Sequence, residues 1–117
     1  MSNAAPNPTR SQAVIRESLE PAEVLHVFGE IDIFSAPELE SAIAGSVRLG
    51  RLLIVDFLEC RYIDSTVVSI LVRAHKALGN NLRIIAPESG TVRRVLTLTA
   101  VDRILRIDTD LTGALCS

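Results

Sequence analysis

The sequence predicts an α/β fold in which strands and helices alternate along one domain. Apolar runs of strand length are separated by segments with helical periodicity, which is the pattern of a sheet with crossover connections. The run "RLLIVDF", residues 51–57, is almost unbroken and suits a central strand covered on both faces, as in a parallel sheet. A chain of 117 residues that is 48% hydrophobic is long enough for one core and too short for two.

The N-terminal part of the chain predicts a tail followed by two strands. Residues 1–10, "MSNAAPNPTR", are small, polar and proline-bearing, which predicts a disordered tail ahead of a folded domain over 11–117. Residues 13–19 predict a weak strand. Residues 24–28, "VLHVF", predict a stronger strand that ends at Gly29.

The segment "SAPELE" predicts the start of the first helix. Ser35 is the expected N-cap, and Glu38, three residues later, completes a capping box. We expect this helix to run to about Ala44, ahead of the central strand at 51–57.

The second half of the chain predicts three further helical segments and two short strands. A long helix is expected from about Ser65 to Leu78, with Gly79 in the left-handed conformation after its end. The remaining expected elements are a strand at 82–86, a helix at 90–98, a strand at 104–108 and a helical turn at 111–115.

The long helix has an apolar face and a polar stripe. At about 100° per residue, one face that is expected to pack on the sheet carries Val67, Ile70, Leu71, Ala74, Ala77 and Leu78. The opposite arc carries Ser65, Thr66, Ser69, Arg73 and Lys76. Val68 and Val72 flank this stripe, and two interpretations stay open: a neighbouring helix covers them, or they form an apolar patch for a partner.

Composition excludes several classes of function. The net charge of −2 and the pI of about 5.6 provide no basic surface for nucleic acid or an anionic membrane. The sequence has no apolar run near the roughly 20 residues of a bilayer span, and no basic-then-apolar leader at its start. Cys60 and Cys116 are too few for a disulfide framework or a zinc cluster, which favours free thiols in a reducing compartment. We therefore expect a cytoplasmic protein without membrane insertion.

Side chains that could support catalysis are sparse. His26 and His75 have no acidic partner nearby in the sequence, so we expect structural roles for both. The glycine spacing of a phosphate-binding loop is missing. Asp32, Asp56 and Asp64 follow or end strands, where an α/β sheet places its ligand sites, and they leave a small-ligand or nucleotide sensor as one hypothesis. We expect no enzymatic activity, no metal and no cofactor.

Asp64, Ser65 and Thr66 place three polar side chains where a strand gives way to a helix, in "YIDSTVVSIL". Residues of these types are common helix caps, worth about 1 kcal/mol, so capping alone explains the triplet. A hydroxyl at a helix start is also exposed, and helix-start amides can hold a phosphate. The residue types leave both interpretations open.

Three segments resemble the anti-sigma factor antagonists, which are freestanding members of the STAS domain superfamily. The segment "GEIDIFSAPEL", residues 29–39, is similar to that family's Gly-Glu-Leu-Asp…Thr-Ala-Pro-x-Leu motif. The segment "LIVDFLECRYIDSTVVSIL", residues 53–71, resembles its buried strand followed by an Asp-Ser-[Ser/Thr] step that opens a helix. The segment "LTLTAVDRILRI", residues 96–107, resembles its closing Leu-x-Leu-Thr-Gly-Leu-Asp block. The likeness covers about residues 13–117.

The resemblance implies a STAS-like fold, with a mixed sheet of four or five strands and about four helices packed against it. It also implies a regulatory switch. The unmodified protein binds an anti-sigma factor that is also a serine kinase. The kinase then phosphorylates a serine at the start of the second helix and the complex dissociates, and a serine phosphatase resets the switch.

By position in the motif, Ser65 is the implied phosphorylation site and Thr66 the second candidate. The residues implied or expected to contact the partner are Asp32, Asp64, Ser65, Thr66, Val68, Ser69, Val72 and Arg73.

The sequence departs from the family pattern at two places. The family has Gly-Leu after the hydroxyl pair, where this chain has Val67 and Val68, which add bulk and stiffen the first helical turn. The closing block has Ala100 in place of glycine. An alternative within the superfamily is a cytoplasmic STAS subunit of a lipid-transport ABC complex, but such subunits tend to carry Asp-Thr-Gly-Gly at the site, so the Asp-Ser-Thr step favours the antagonist.

Overall fold

Five strands form one sheet in which the spatial order is the same as the chain order. The structure, a computed structural model, describes residues 13–116. The predicted tail at 1–10, together with residues 11, 12 and 117 of the predicted domain, lies outside the described residues. The strands are β1 Val14–Leu19, β2 Ala22–Ile31, β3 Leu52–Ile63, β4 Leu82–Ile85 and β5 Arg106–Asp108. The helices are α1 Ala36–Leu49, α2 Ser65–Leu78, α3 Thr91–Leu98 and α4 Leu111–Leu115.

The sheet is mixed. Strand β1 pairs antiparallel with β2, whereas β2, β3, β4 and β5 run parallel to one another. A helix connects each successive parallel pair, as crossover connections require. The apolar run at 51–57 lies in β3, which has a strand on each side. The predicted mixed α/β sheet, with five strands and four helices, is confirmed.

The helices cover the two faces of the sheet unequally. Helices α1, α2 and α3 pack on one face, where the main core joins their apolar side chains to those of the central strands; it includes Leu25, Leu39, Val55, Phe57, Leu71, Ile84 and Leu96. Helix α4 covers part of the other face in a smaller cluster formed by Ala22, Val24, Ile54, Ile85 and Ala114. No helix within residues 13–116 has both the length and the apolar character needed to cross a lipid bilayer.

The β2–β3 pair extends beyond the rest of the sheet. Strand β4 pairs only with residues 53–56 of β3, but β2 and β3 continue as a two-stranded ribbon to Ile31 and Ile63. The register shifts after the pair of His26 and Asp56. The next pair is Phe28 and Glu59, so β2 advances by two residues while β3 advances by three. Strand β3 therefore contains an extra residue there, a β-bulge, which increases the local twist. The ribbon ends where α1 and α2 begin.

The predicted capping box at the start of α1 is wrong. Ser35 occupies the N-cap position but its side chain makes no capping hydrogen bond. The Glu38 carboxylate instead accepts a hydrogen bond from the Val14 backbone amide at 2.9 Å, which joins α1 to β1. The helix also runs past Ala44 to Leu49, and Gly50 ends it in the left-handed conformation, φ 66°.

Other predicted boundaries differ as well, and the strand predicted at 51–57 continues to Ile63. Gly29 does not end β2, because its φ of 77° is accommodated beside the second register shift of the ribbon. Gly79 has a positive φ, but its ψ of −127° is not left-handed helical, since a 3₁₀ turn over Gly79–Asn81 follows directly. The last strand begins at Arg106 because a second 3₁₀ turn occupies Val101–Arg103.

Candidate functional site

Asp64 caps helix α2. Its backbone is extended, and its Oδ1 accepts hydrogen bonds from the backbone amides of Thr66 at 2.9 Å and Val67 at 3.4 Å. The carboxylate thereby satisfies the Thr66 amide at the helix start and shares the Val67 amide with the Asp64 backbone carbonyl, which lies 3.1 Å from it. Because an acidic side chain also interacts favourably with the positive end of the helix dipole, Asp64 is a strong N-cap.

Ser65 is the first residue of α2 and is exposed. Since Asp64 performs the capping, the Ser65 hydroxyl is not needed for it, and no hydrogen bond joins that hydroxyl to another residue in the range 13–116. Thr66 is half-buried, and its backbone amide is held by Asp64. Of the two adjacent hydroxyl side chains, Ser65 is the more accessible.

Val67 and Val68 do not crowd the hydroxyl pair. Val67 is fully buried and Val68 is 8% exposed, and both belong to the main core. Val72 is half-buried and packs against that core. The sequence left open whether a neighbouring element covers these two valines or a partner does. Val68 is covered by neighbouring elements and offers little surface to a partner. Val72 is covered only in part. The β-branched bulk is directed into the protein and away from Ser65.

The polar stripe of α2 runs down an exposed surface. Ser69 and Arg73 follow Ser65 at intervals of four residues and are both exposed. The Arg73 guanidinium forms an ion pair with Glu40 of α1, with 2.7 Å between Nη2 and Oε2. Both side chains of this pair are more than half exposed, so solvent screens it and either partner can exchange it for another contact.

Asp32 lies beside the start of α2. Its predecessor Ile31 is the register partner of Ile63, so Asp32 and Asp64 leave the same end of the β2–β3 ribbon on adjacent strands. The Asp32 Oδ1 accepts hydrogen bonds from the backbone amides of Phe34 at 3.0 Å and Ser35 at 3.3 Å, and from the Ser35 hydroxyl at 3.2 Å. These hydrogen bonds hold the pKa of Asp32 below its usual value, and the two backbone amides have the largest effect. Asp32 therefore stabilises the turn that connects β2 to α1.

That turn displays two apolar side chains that sequence reasoning missed as site residues. Ile33 is 63% exposed and Phe34 is 88% exposed, which is unusual for large apolar side chains in a tight turn. Tyr62, beside Glu30 at the end of the ribbon, is also partly exposed. The signal was present in the sequence, because two large apolar residues stand between a turn-forming aspartate and a serine where polar residues are usual.

The remaining candidate side chains fall elsewhere. Cys60 is buried in the main core, and burial raises the pKa of its thiol, so it remains protonated. His26 lies in the middle of the sheet, where acidic partners come from neighbouring strands and not from its own segment. Within residues 13–116, no three side chains of His, Cys, Asp or Glu converge in a way that could hold a metal ion.

The solved structures similar to this chain include two anti-sigma factor antagonists and a phosphorylated cell fate determinant. One from Mycobacterium paratuberculosis is 28% identical, with a TM-score of 0.81 over 87% of this chain and 89% of that chain. An anti-sigma factor antagonist (STAS) domain protein from Planctomyces limnophilus is 15% identical, with a TM-score of 0.75 over 87% and 93% of the two chains. The phosphorylated form of the Bacillus cell fate determinant SpoIIAA is 21% identical, with a TM-score of 0.61 over 86% and 96%.

No curated protein sequence shows significant similarity to the chain. The family model for the STAS domain matches residues 13–114, which is nearly all of the described region. The order of the elements, the mixed five-stranded sheet and the helix that opens at Ser65 agree with that assignment. The chain belongs to the STAS domain family.

Proposed function

We propose that this protein is an anti-sigma factor antagonist, which binds an anti-sigma factor through the surface around Ser65 and is released when Ser65 is phosphorylated. The proposed partner carries serine kinase activity, and a serine phosphatase restores the unmodified form. The protein itself has no catalytic role in this proposal and acts in the cytoplasm.

The observation that carries the proposal is that Asp64, and not Ser65, caps α2, which leaves the Ser65 hydroxyl exposed. A capping serine has its hydroxyl engaged with backbone amides, where a kinase cannot reach it without breaking the cap. Here the aspartate caps α2, and the serine hydroxyl is exposed at the first position of the helix. The hydroxyl is therefore accessible to a kinase without loss of the helix start.

Local electrostatics explain how a phosphate at Ser65 would release the partner. A phosphoserine adds about −1.5 to −2 charges at pH 7. It would stand next to Asp64, which already occupies the first helical amides, and near Asp32 on the adjacent strand end. A loss of about 2.7 kcal/mol weakens binding roughly a hundredfold, and a few unfavourable charge contacts in a partly desolvated interface supply that much. No change of fold is needed.

The comparisons support the same direction. The Mycobacterium paratuberculosis protein, at 28% identity, is an anti-sigma factor antagonist, and its fold superposes on this chain over most of both lengths. The STAS fold that this chain shares with Bacillus SpoIIAA also accommodates a phosphorylated form of that protein.

Phosphorylation with purified components tests the proposal. The anti-sigma factor kinase and ATP are expected to add one phosphate, which mass spectrometry of proteolytic fragments should locate at Ser65. Ser65→Ala should bind the anti-sigma factor but accept no phosphate, and Ser65→Asp should bind roughly tenfold or more weakly.

Two matched controls lie on the same helix. Ser69→Ala removes an exposed hydroxyl one turn further along α2, and Thr66→Ala removes the adjacent one. Both variants should still be phosphorylated at Ser65. Unchanged phosphorylation of Ser65→Ala, together with normal binding by Ser65→Asp, would overturn the proposal. Stable co-purification with a transport ATPase in place of an anti-sigma factor would favour the ABC-complex subunit.

A further inference from the structure

His26 bridges three strands. It lies on β2, where its Nε2 is 2.7 Å from Oε1 of Glu17 on β1 and its Nδ1 is 2.8 Å from Oδ2 of Asp56 on β3. The Asp56 side chain is largely buried, at 13% exposed, whereas Glu17 is about half exposed. Both ring nitrogens of this histidine are therefore in hydrogen-bond contact with a carboxylate, each from a different strand.

This arrangement selects the protonated ring. A neutral imidazole carries one N–H, so its second nitrogen would present a lone pair to a carboxylate oxygen. An imidazolium donates from both nitrogens, and its positive charge is attracted to both carboxylates. Only the cation satisfies the two contacts that the structure contains.

The surroundings of His26 act in both directions on its protonation. Partial burial lowers the pKa of His26, but the hydrogen bonds and charges of Glu17 and Asp56 raise it, and the net result is a pKa above the ordinary value of 6.5. The next residue in this row of the sheet is Ile85 on β4, which is apolar. Beyond it, Asp108 on β5 forms an ion pair with Arg106 at 3.0 Å.

Asp56 connects His26 to the β-bulge. While Oδ2 of Asp56 accepts from His26, its Oδ1 accepts a hydrogen bond from the Leu58 backbone amide at 2.9 Å. The register shift between β2 and β3 falls at this position, and the ribbon beyond it ends at Ile31 and Ile63. The Asp56 carboxylate that accepts the bulge amide is thus also in contact with His26.

We propose that His26 is a protonated bridge that fastens β1 and the β3 bulge to β2, and that loss of its proton as the pH rises loosens this part of the sheet. The bridge forms a pH-sensitive device in the body of the fold, separate from Ser65, and it does not depend on the identity of the partner.

The direction of the pH effect follows from linkage. A histidine whose pKa is higher in the folded state than in the unfolded state stabilises the fold fully below the unfolded pKa, which is near 6.5. That contribution is lost as the pH rises from there through the folded pKa. Each unit by which folding raises the pKa multiplies the folding equilibrium constant about tenfold at the acidic end of the window.

Nuclear magnetic resonance of the full chain tests the protonation state directly. Imidazole nitrogen and carbon shifts of His26 are followed from about pH 5 to about pH 9, a range that covers histidine titration. Both ring nitrogens should carry protons at about pH 6, and the midpoint should lie above 6.5. Asp56→Asn and Glu17→Gln should each lower the midpoint, while His75→Gln identifies the second histidine signal and should leave the first unchanged.

Denaturant unfolding across the same pH range provides the second measurement. The wild-type midpoint should fall relative to that of His26→Gln as the pH rises above 6.5. If His26→Gln does not fold, Glu17→Gln replaces it as the comparison variant, because Glu17 is an exposed side chain. The denaturant midpoint of Glu17→Gln should depend less on pH than that of the wild type. A His26 midpoint at or below 6.5, or a single protonated nitrogen at about pH 6, would overturn the proposal.

Discussion

Ile31 of β2 lies directly beside Ile63 of β3, and an aspartate follows each of them. This parallel register brings Asp32 and Asp64 to the same end of the sheet, although 31 residues lie between the two isoleucines in the sequence. The two aspartates then organise two different structures: Asp32 holds the turn that displays Phe34, and Asp64 caps the helix that displays Ser65. The candidate site is the product of that one pairing.

Asp64 is predicted to have two separable roles. Asp64→Ala removes the N-cap of α2 and should lower the free energy of unfolding by about 1 kcal/mol, whereas Asp64→Asn retains a capping oxygen and should cost much less. Asp64→Asn should also reduce the loss of anti-sigma factor affinity caused by phosphorylation, because one of the two nearby negative charges is gone. Denaturant unfolding and binding titrations measure these effects. Equal destabilisation by the two variants would show that the cap is not the source of the stability.

Phe34 is predicted to contribute to partner binding and not to folding. Because its side chain is 88% exposed, Phe34→Ala should change the free energy of unfolding by less than about 0.5 kcal/mol. If the turn inserts this ring into an apolar pocket of the anti-sigma factor, the same change should weaken binding about tenfold or more, as titration calorimetry can measure.

The matched control for Phe34 is Leu98→Ala. Leu98 is also strongly exposed but lies at the C-terminal end of α3, an element separate from the β2–α1 turn that carries Phe34. This variant should leave the affinity unchanged. Equal losses for Phe34→Ala and Leu98→Ala would indicate a nonspecific effect of surface hydrophobicity.

Arg73 is predicted to be worth more to the complex than to the fold. Its ion pair with Glu40 is exposed, so Arg73→Ala should lower the free energy of unfolding by less than about 1 kcal/mol. If the stripe of α2 contacts the anti-sigma factor, Arg73→Ala should weaken binding, while Glu40→Ala releases the guanidinium and should not. A double-mutant cycle for stability and binding titrations of the single variants would decide this; weaker binding by both variants would assign the effect to the packing of α1 against α2.

Ala100 stands where the family pattern has glycine, and its backbone has the left-handed conformation that glycine adopts most easily. Among the described residues it is the non-glycine residue with a positive φ, 62°, at the start of the 3₁₀ turn Val101–Arg103. A left-handed conformation costs an L-residue about 1–2 kcal/mol, and the extra freedom of glycine in the unfolded chain costs about 0.4–1 kcal/mol in return. Ala100→Gly should therefore raise the free energy of unfolding by about 0.5–1 kcal/mol, seen as a higher denaturant midpoint. A lower midpoint would mean that the turn carries no strain.

Local patterns were sufficient for most of the fold. The unbroken apolar run at 51–57 predicted a central strand, and the spacing of Val67, Ile70 and Leu71 predicted the buried face of α2. Both follow from the period of a single element and the burial of its apolar side, which neighbouring residues encode. The resemblance of three segments to the anti-sigma factor antagonists led to the STAS family, and the exposed position of Ser65 is consistent with its implied role.

The same local patterns could not decide which partners the polar side chains find. Ser35 and Glu38 match a capping box, yet Glu38 bonds to the Val14 amide because β1 is adjacent in space. His26 has no acidic partner nearby in its segment, yet the neighbouring strands β1 and β3 each supply one. The exposure of Phe34 and the burial of Val68 likewise depend on what packs beside them.

The sequence by itself determined the order of the strands and α-helices, most of the buried face of α2 and the polar step at which α2 begins. Only the tertiary structure decided that Asp64 caps this helix while Ser65 does not, and that His26 joins three strands. The physical reason is that periodicity and capping propensity act within a few residues, whereas hydrogen bonds between side chains depend on a strand register set by the burial of the whole core.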